Sequence, residues 1–296
     1  MRSFPFWVQR LRRAEGIPFL MVAGLFHPHQ PWWIPQHYFD LYPLDEIVLP
    51  EVRADELGVL PAWGRKLAGS PSEYRQVVDS GKWPELVQAY LAAVSFADAQ
   101  VGRLLEALDH GPHRENTIVV LWSDHGFHHG QKHCFGKSTL WQAAARIPFI
   151  LRLPGVVPAT VNRPMDSIDI YPTLVDLCGL AIGGYALDGV SMRPLIDNPE
   201  APWKPAVTEL QRKNVAVRDE AWTYIRYDDR TEELYHRAVD PRERRNLAAL
   251  PEYADVKQRL RAALPRSYAV DALPRKGDDN PYAPPALRPG FIEFAE

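Results

Sequence analysis

Between Thr117 and Trp141 the chain reads TIVVLWSDHGFHHGQKHCFGKSTLW. An apolar run leads straight into Asp124 and His125, and His128, His129, His133 and Lys137 follow closely. A carboxylate beside an imidazole can hold a divalent cation. A lysine nearby can neutralise an oxyanion. A second polar cluster, His27-Pro28-His29, follows another apolar run, and an imidazole there can move a proton. Sites in open α/β sheets form beyond the carboxyl ends of the strands, so two strands would aim these groups at one rim. Each cluster also has a plain reading. An Asp-His pair after a strand commonly makes a turn with a helix cap, and His-x-His commonly lies in a solvated loop. Spacing and composition by themselves therefore reach a hydrolase-like α/β domain with a candidate metal site.

The elements that must position these groups follow from periodicity. Phe6 to Glu15 reads as a short amphipathic helix and Pro18 to Leu25 as a buried strand. The loop FHPHQPWWIPQHYFDLYP comes next, and the absence of a clear period up to Ser80 predicts a long irregular connection. Apolar residues recur at helical spacing from Trp83 to Asp109, with Gly111 and Pro112 as the stop. A strand over Thr117–Trp122, a helix starting near Ser138 and a strand over Pro148–Leu153 complete a pattern of helix then strand. That pattern predicts a mostly parallel sheet flanked by helices. DIYPTLVDLCG is a further short helix, closed by Gly179. After about Pro202 the segments AVTEL, NVAVR, WTYIRY and EELYHR alternate, with a hairpin turn at Asp228-Asp229, and YADVKQRLRAAL reads as a helix. The expected organisation is a main α/β domain over 1–201, a small C-terminal α+β subdomain with an antiparallel sheet over 202–270, and a surface or disordered tail over 271–296.

Composition narrows the class. Of 296 residues 46% are apolar, enough for a sizeable core, and the net charge of −3 argues against nucleic-acid or membrane partners. Two cysteines, Cys134 and Cys178, are too few for a disulfide framework or a structural zinc site. RLRR before an apolar run imitates a signal peptide, but Glu15, Gly16 and the HPHQP that ends the run favour a buried strand. Compartment and oligomeric state are not read from the sequence.

The stretch SDHGFHHGQKHCFGKSTLWQAAARIPFILRLPG resembles the sulfatase family of the alkaline-phosphatase-like superfamily. The likeness is to the branch with iduronate-2-sulfatase and choline sulfatase. It continues in order through IPFLMVAGLFHPHQPWW, FADAQVGRLLEALD, DSIDIYPTLVDLCGL, LDGVSMRPLI and YIRYDDRTEELYHRAVDPRERRNLA. The resemblance implies an alkaline-phosphatase-like sandwich and hydrolysis of sulfate esters, of a sulfated sugar or a small sulfate ester. It implies a divalent cation, typically calcium, on Asp124 and His125. It gives His29 a role at the ester oxygen or sulfate, with His27 as a second contact. It has Lys137 neutralise the sulfate, and places His128 and Arg146 at recurring positions near substrate.

One part of the family pattern has no match. The family nucleophile is a formylglycine made from the first residue of Cys/Ser-x-Pro/Ala-x-Arg, and no such run occurs in this sequence. The Asp-Asp metal pair expected ahead of it is also unmatched, since Asp-Asp occurs only at 228–229 and 278–279. The expectation is a sulfatase-type chain truncated at its N-terminus, binding calcium weakly if at all and supplying no nucleophile. Two alternatives stay open at this point. One is a phosphomonoester or phosphodiester hydrolase of the same superfamily. The other is a non-catalytic remnant that binds sulfated or phosphorylated glycans.

Overall fold

The computed structural model describes residues 4–13, 16–69, 71–184 and 186–269. Its helices up to the site are α1 (Phe4–Leu11), α2 (Gln36–Phe39), α3 (Ala62–Leu67), α4 (Pro71–Asp79) and α5 (Trp83–Asp109). Strand β1 (Val119–Trp122) follows, then the short ladder β2 (His128–His129) with β3 (Phe135–Gly136), the helix α6 (Gln142–Ala145) and strand β4 (Phe149–Arg152). Helices α7 (Ile170–Leu177) and α8 (Arg193–Asp197) lead to β5 (Ala206–Glu209), β6 (Val215–Arg218), β7 (Trp222–Arg226) and β8 (Glu232–His236), and α9 (Ala254–Arg261) closes the series. Described residues through Leu264 form one compact unit, and those from Pro265 belong to a second.

The long helix α5 is the spine of the site-bearing half. Pro84 occupies its first turn, where the missing N–H costs nothing, and Glu85 complements the helix dipole there. The His110 N–H closes it on the Glu106 carbonyl. Gly111 must be glycine because an added Cβ would lie 2.6 Å from the Leu11 carbonyl oxygen and 2.8 Å from that of Ala107. That close approach lets α1 pack on α5, and Leu11, Ala107 and Leu108 bury together with Val8, Phe19, Met21, Leu104 and Val119 around them.

A second core lies under the C-terminal sheet, whose order is β5-β6-β7-β8 with every pair antiparallel, as the alternating segments predict. Ala216, Ile225, Tyr227 and Tyr235 of this part bury against Leu60, Ala68, Leu140 and Trp141. The contact therefore ties the sheet to the segment just beyond Lys137. At its centre Glu233 accepts hydrogen bonds from Trp141 Nε1 at 2.8 Å, Tyr227 Oη at 2.6 Å and Tyr235 Oη at 2.5 Å.

Three expectations change. Strands β1 and β4 pair antiparallel, with Leu121 opposite Ile150, and no parallel pair occurs among the described residues. A parallel pairing needs a crossover, usually helical. Here the connection folds as a two-residue ladder and the four-residue α6, which returns the chain in the opposite direction. The predicted strand at Pro18–Leu25 keeps strand alternation, with Phe19 and Met21 packed inward and Leu20 84% and Val22 61% exposed. It has no ladder partner among the described residues and is therefore not a strand. The connection before Ser80 is not irregular throughout, since α3 and α4 form within it. Two of its prolines sit at the starts of these helices, Pro61 before α3 and Pro71 opening α4, where they are tolerated. The expected tail over 271–296 lies outside the described residues.

Candidate active site

The loop after Phe26 brings His27 and His29 to the surface. The His29 N–H donates to the Phe26 carbonyl, and Trp32 Nε1 donates to the Pro28 carbonyl at 2.8 Å, so the loop folds back on itself. His29 Nδ1 lies 2.6 Å from the Gln30 carbonyl oxygen. A carbonyl can only accept, so Nδ1 carries the proton and Nε2 keeps its lone pair. Lys137 Nζ donates to that Nε2 at 3.0 Å. His27 Nδ1 is 3.3 Å from the His29 carbonyl oxygen, and its ring packs edge-on against Phe96 of α5.

The Asp-His turn approaches from β1. The Asp124 carboxylate accepts at Oδ1 from the His125 N–H at 3.0 Å and from Ser123 Oγ at 3.4 Å, and its side chain is 82% exposed. His125 Nδ1 donates to the Gly126 carbonyl at 2.8 Å, which fixes the tautomer and leaves Nε2 as a lone pair. That Nε2 is buried, has no hydrogen-bond partner, and lies 3.3 Å from Asp124 Oδ2. The His29 and His125 rings are 6.4 Å apart between centroids. Asp124, His125, His29 and Lys137 thus gather in one place from two distant parts of the chain, with His27 beside them.

Gly126 makes the turn possible. Its N–H donates to the Ala144 carbonyl, and a Cβ there would fall 2.2 Å from the Ala143 carbonyl oxygen. The loop carrying Lys137 is fixed at depth by Lys132. Lys132 N donates to Glu56 at 2.7 Å, its Nζ donates to the Glu243 carbonyl, and it lies over the Trp141 and Tyr235 rings. Burial lowers the Lys132 pKa, while Glu233, Glu56 and Glu243 oppose that shift. Glu56, Glu233 and Glu243 carry no motif, and partners as far as 111 positions from Lys132 leave no spacing to read.

The other residues of the histidine run do not join the cluster. His128 is fully buried, accepts at Nε2 from Thr139 Oγ1 at 2.8 Å and donates from Nδ1 to the Gln131 carbonyl at 3.1 Å. Arg146 and His128 line a separate cavity that none of Asp124, His125, His29 and Lys137 touches. His129 sits among Tyr90 and Phe127, and His133 stacks on Tyr74. Burial lowers the pKa of His128 and of His129 to about 4, so both imidazoles are neutral near pH 7. Burial pushes the Cys134 thiol up to about 12, which removes a thiolate beside Lys137 as a nucleophile.

The orphaned Nε2 of His125 beside an exposed carboxylate fits a divalent cation. The Nδ1 bond to a carbonyl is the usual support of a metal-ligating histidine. Among the described residues no group of three or more His, Cys, Asp or Glu could hold a metal ion.

The fold is the α/β architecture of the alkaline-phosphatase-like class. The sulfatase family model matches residues 2–180, and the model of the C-terminal part of N-sulphoglucosamine sulphohydrolase matches residues 130–269. The chain belongs to the sulfatase family. It is 37% identical over 270 residues to a sulfatase of Formosa agariphila, covering 89% of this chain and 53% of that protein. It is 28% identical to the choline-sulfatase of Rhizobium meliloti, covering 79% of this chain and 47% of the other. The chain therefore spans about half the length of the curated relatives it matches. A solved structure in complex with D-glucosamine-2-N,6-O-disulfate superposes with a TM-score of 0.67 at 22% identity, over 88% of this chain and 68% of the other. The phosphonate monoester hydrolase of Silicibacter pomeroyi superposes at 0.66 with 26% identity, over 79% and 53%. Members of the sulfatase family usually bind a divalent metal.

Proposed function

We propose that the chain works in the hydrolysis of sulfate esters, most suitably of sulfated sugars, and that the sulfate group sits between Lys137, His29 and the Asp124-His125 pair. The observation that carries this reading is the 3.0 Å contact of Lys137 Nζ with His29 Nε2, beside the orphaned Nε2 of His125. The names of the relatives, among them an N-acetylglucosamine-6-O-sulfatase and a delta 4,5-hexuronate-2-O-sulfatase of Bacteroides thetaiotaomicron, support a sugar substrate.

In this reading an anion entering the cluster draws the Lys137 ammonium onto its oxygens. His29 Nε2, released by Lys137, would take up a proton from solvent, and the imidazolium so formed, held through Nδ1 by the Gln30 carbonyl, would pass that proton to the leaving alcohol oxygen and return to the neutral ring. His27 supports the His29 loop as a second contact. Asp124 and His125 would hold a divalent cation, calcium by family habit, which supplies charge stabilisation to the sulfate oxygens. Calcium takes about six to eight mostly oxygen ligands, so two donors alone bind it weakly. The sequence contains no formylglycine context, so the chain is assigned the sulfate-binding and leaving-group side of the reaction, with no turnover of 4-nitrophenyl sulfate above buffer by itself.

A phosphonate or phosphate ester is the second reading, favoured by the phosphonate monoester hydrolase likeness. Titration calorimetry with 4-nitrophenyl sulfate and 4-nitrophenyl phosphate separates the two. The sulfate ester is expected to bind more tightly and to lose at least tenfold in affinity in Lys137→Ala and in His29→Ala. Equal binding by both variants would overturn the proposal, and preference for the phosphate ester would favour the second reading.

A further inference from the structure

We propose that Phe26 is the platform for the sugar ring of the ester, a specificity-determining residue that stacks on the C–H face of a pyranose while the sulfate occupies the cluster of Lys137 and His29. This role for Phe26 rests on the sulfate position proposed above. It assigns recognition of the alcohol half of the substrate, which the charged groups leave open.

Phe26 ends an extended apolar run in which Phe19 and Met21 pack inward and Leu20 and Val22 stay exposed. Alternation along extended backbone puts Phe26 on the outward side, and it is 62% exposed. The turn that follows fixes it against the cluster, because the His29 N–H donates to the Phe26 carbonyl at 3.1 Å. The Phe26 ring centroid lies 5.2 Å from that of His29, with the planes at 48°, and 5.5 Å from that of His27, at 76°. Behind His27 the ring of Phe96 packs edge-on at 5.4 Å, and Tyr38 packs on Phe96 at 5.5 Å. Phe26 is thus braced by the two imidazoles while much of its surface remains open to a ligand.

The position beside His29 decides what Phe26 can do. His29 Nδ1 is held by the Gln30 carbonyl, and its Nε2 meets Lys137 Nζ at 3.0 Å. With the ester oxygen at that Nε2, the carbons of the alcohol begin one bond away and lie along the rim that His29 shares with Phe26. The other groups gathered there, Lys137, Asp124 and His125, are polar and serve the anion. Phe26 offers an open apolar face, and the face of an aromatic ring is its electron-rich side. The weakly positive C–H groups on one side of a pyranose complement it, whereas a free sulfate ion has no such surface. A quaternary ammonium group can also lie on an aromatic face. It would meet the Lys137 ammonium across His29, and the carboxylate of Asp124 is already paired with His125. A neutral ring meets no such repulsion.

The test is titration calorimetry of the full chain with N-acetyl-D-glucosamine 6-sulfate, inorganic sulfate and choline sulfate. Phe26→Ala is expected to weaken the sugar sulfate about fivefold, the scale of one aromatic contact, and to leave inorganic sulfate unchanged. Phe26→Tyr, which keeps the ring face, should bind the sugar sulfate as the wild-type chain does. Phe26→Leu keeps apolar bulk without that face, so it should resemble Phe26→Ala and should abolish the upfield shift of the sugar ring protons expected on binding to the wild-type chain. Lys137→Ala should weaken all three ligands. Equal loss of sugar sulfate and inorganic sulfate in Phe26→Ala would show that the residue only shapes the loop, and would overturn the proposal. A larger effect on choline sulfate than on the sugar sulfate would overturn the sugar assignment. Unchanged sugar-sulfate binding in Phe26→Ala, with loss in Lys137→Ala, would overturn the platform and leave the sulfate position standing. A wild-type chain that binds none of the three would overturn both.

Discussion

Lowering the pH from about 7 to about 4.5 is expected to cost this chain stability through His128 and His129, and the size follows from their surroundings. His128 is fully enclosed, donating from Nδ1 to the Gln131 carbonyl and accepting from Thr139, so an added proton at Nε2 would displace the Thr139 donor. His129 has no hydrogen-bond partner on either ring nitrogen and lies 4.1 Å from the Tyr90 ring centroid. Desolvation holds each pKa at about 4 against an ordinary 6.5. The unfolded chain therefore binds these protons at a higher pH than the folded chain does. Their contribution is fully present above pH 6.5 and is lost as pH falls toward about 4. At 1.36 kcal/mol per pH unit the gap is worth about 3 kcal/mol for each histidine, a large part of the ~5–15 kcal/mol that a domain has. Urea unfolding at a series of pH values measures it. His129→Phe, which replaces an unpartnered imidazole among aromatic rings, should remove about half of the slope between pH 6.5 and 4.5 and leave stability at pH 7.5 equal or higher. An unchanged slope in that variant, or a wild-type chain whose stability is flat over this range, would refute the reasoning.

Glu233→Ala should destabilise by at least about 3 kcal/mol in urea, because the donors on Trp141, Tyr227 and Tyr235 are left buried without an acceptor at ~1–3 kcal/mol each. Gly64→Ala should also be destabilising, since the new Cβ would lie 2.5 Å from Glu233 Oε1 and 3.1 Å from Tyr227 Oη, and a lowered midpoint of thermal unfolding would register it. Asp109→Asn should change stability by only ~0–1 kcal/mol, and less at high salt, because its ion pair with Arg152 is half exposed. With a thiol reagent at about pH 8, exposed Cys178 should react at once and Cys134 slowly, as thiols far below their pKa do.

Much of the fold was legible because it depends on local period. The apolar residues of α5 recur at helical spacing over its whole length, and the four C-terminal strands alternate around turns at fixed positions. Helices α3 and α4 were not legible. Their sequences, AWGRKL and PSEYRQVVD, are short and carry few apolar residues, and α3 is held by the packing of Trp63, Leu67 and Ala68 against the core under the C-terminal sheet. The direction of β1 against β4 was also hidden, because an apolar run reads the same whichever way its neighbour runs.

The chemistry on offer can be read from the chain alone: Asp124 and His125 at the end of an apolar run, His29 in a proline-bounded loop, and Lys137 a short way beyond. The surroundings of each histidine emerge in the folded chain. His125, His128, His129 and His133 are near-neighbours in the chain, yet one turns an open nitrogen toward Asp124, one is locked on Thr139, one is caged by aromatic rings and one stacks on Tyr74. The cause is the short ladder of β2 with β3, which sends His128 and His129 to opposite sides. Gly130 then turns the chain at φ 110°, where a Cβ would strike Trp83. Those constraints come from Trp83, Glu56 and Glu243, which lie far from the histidine run in sequence and reach it only when the chain is folded.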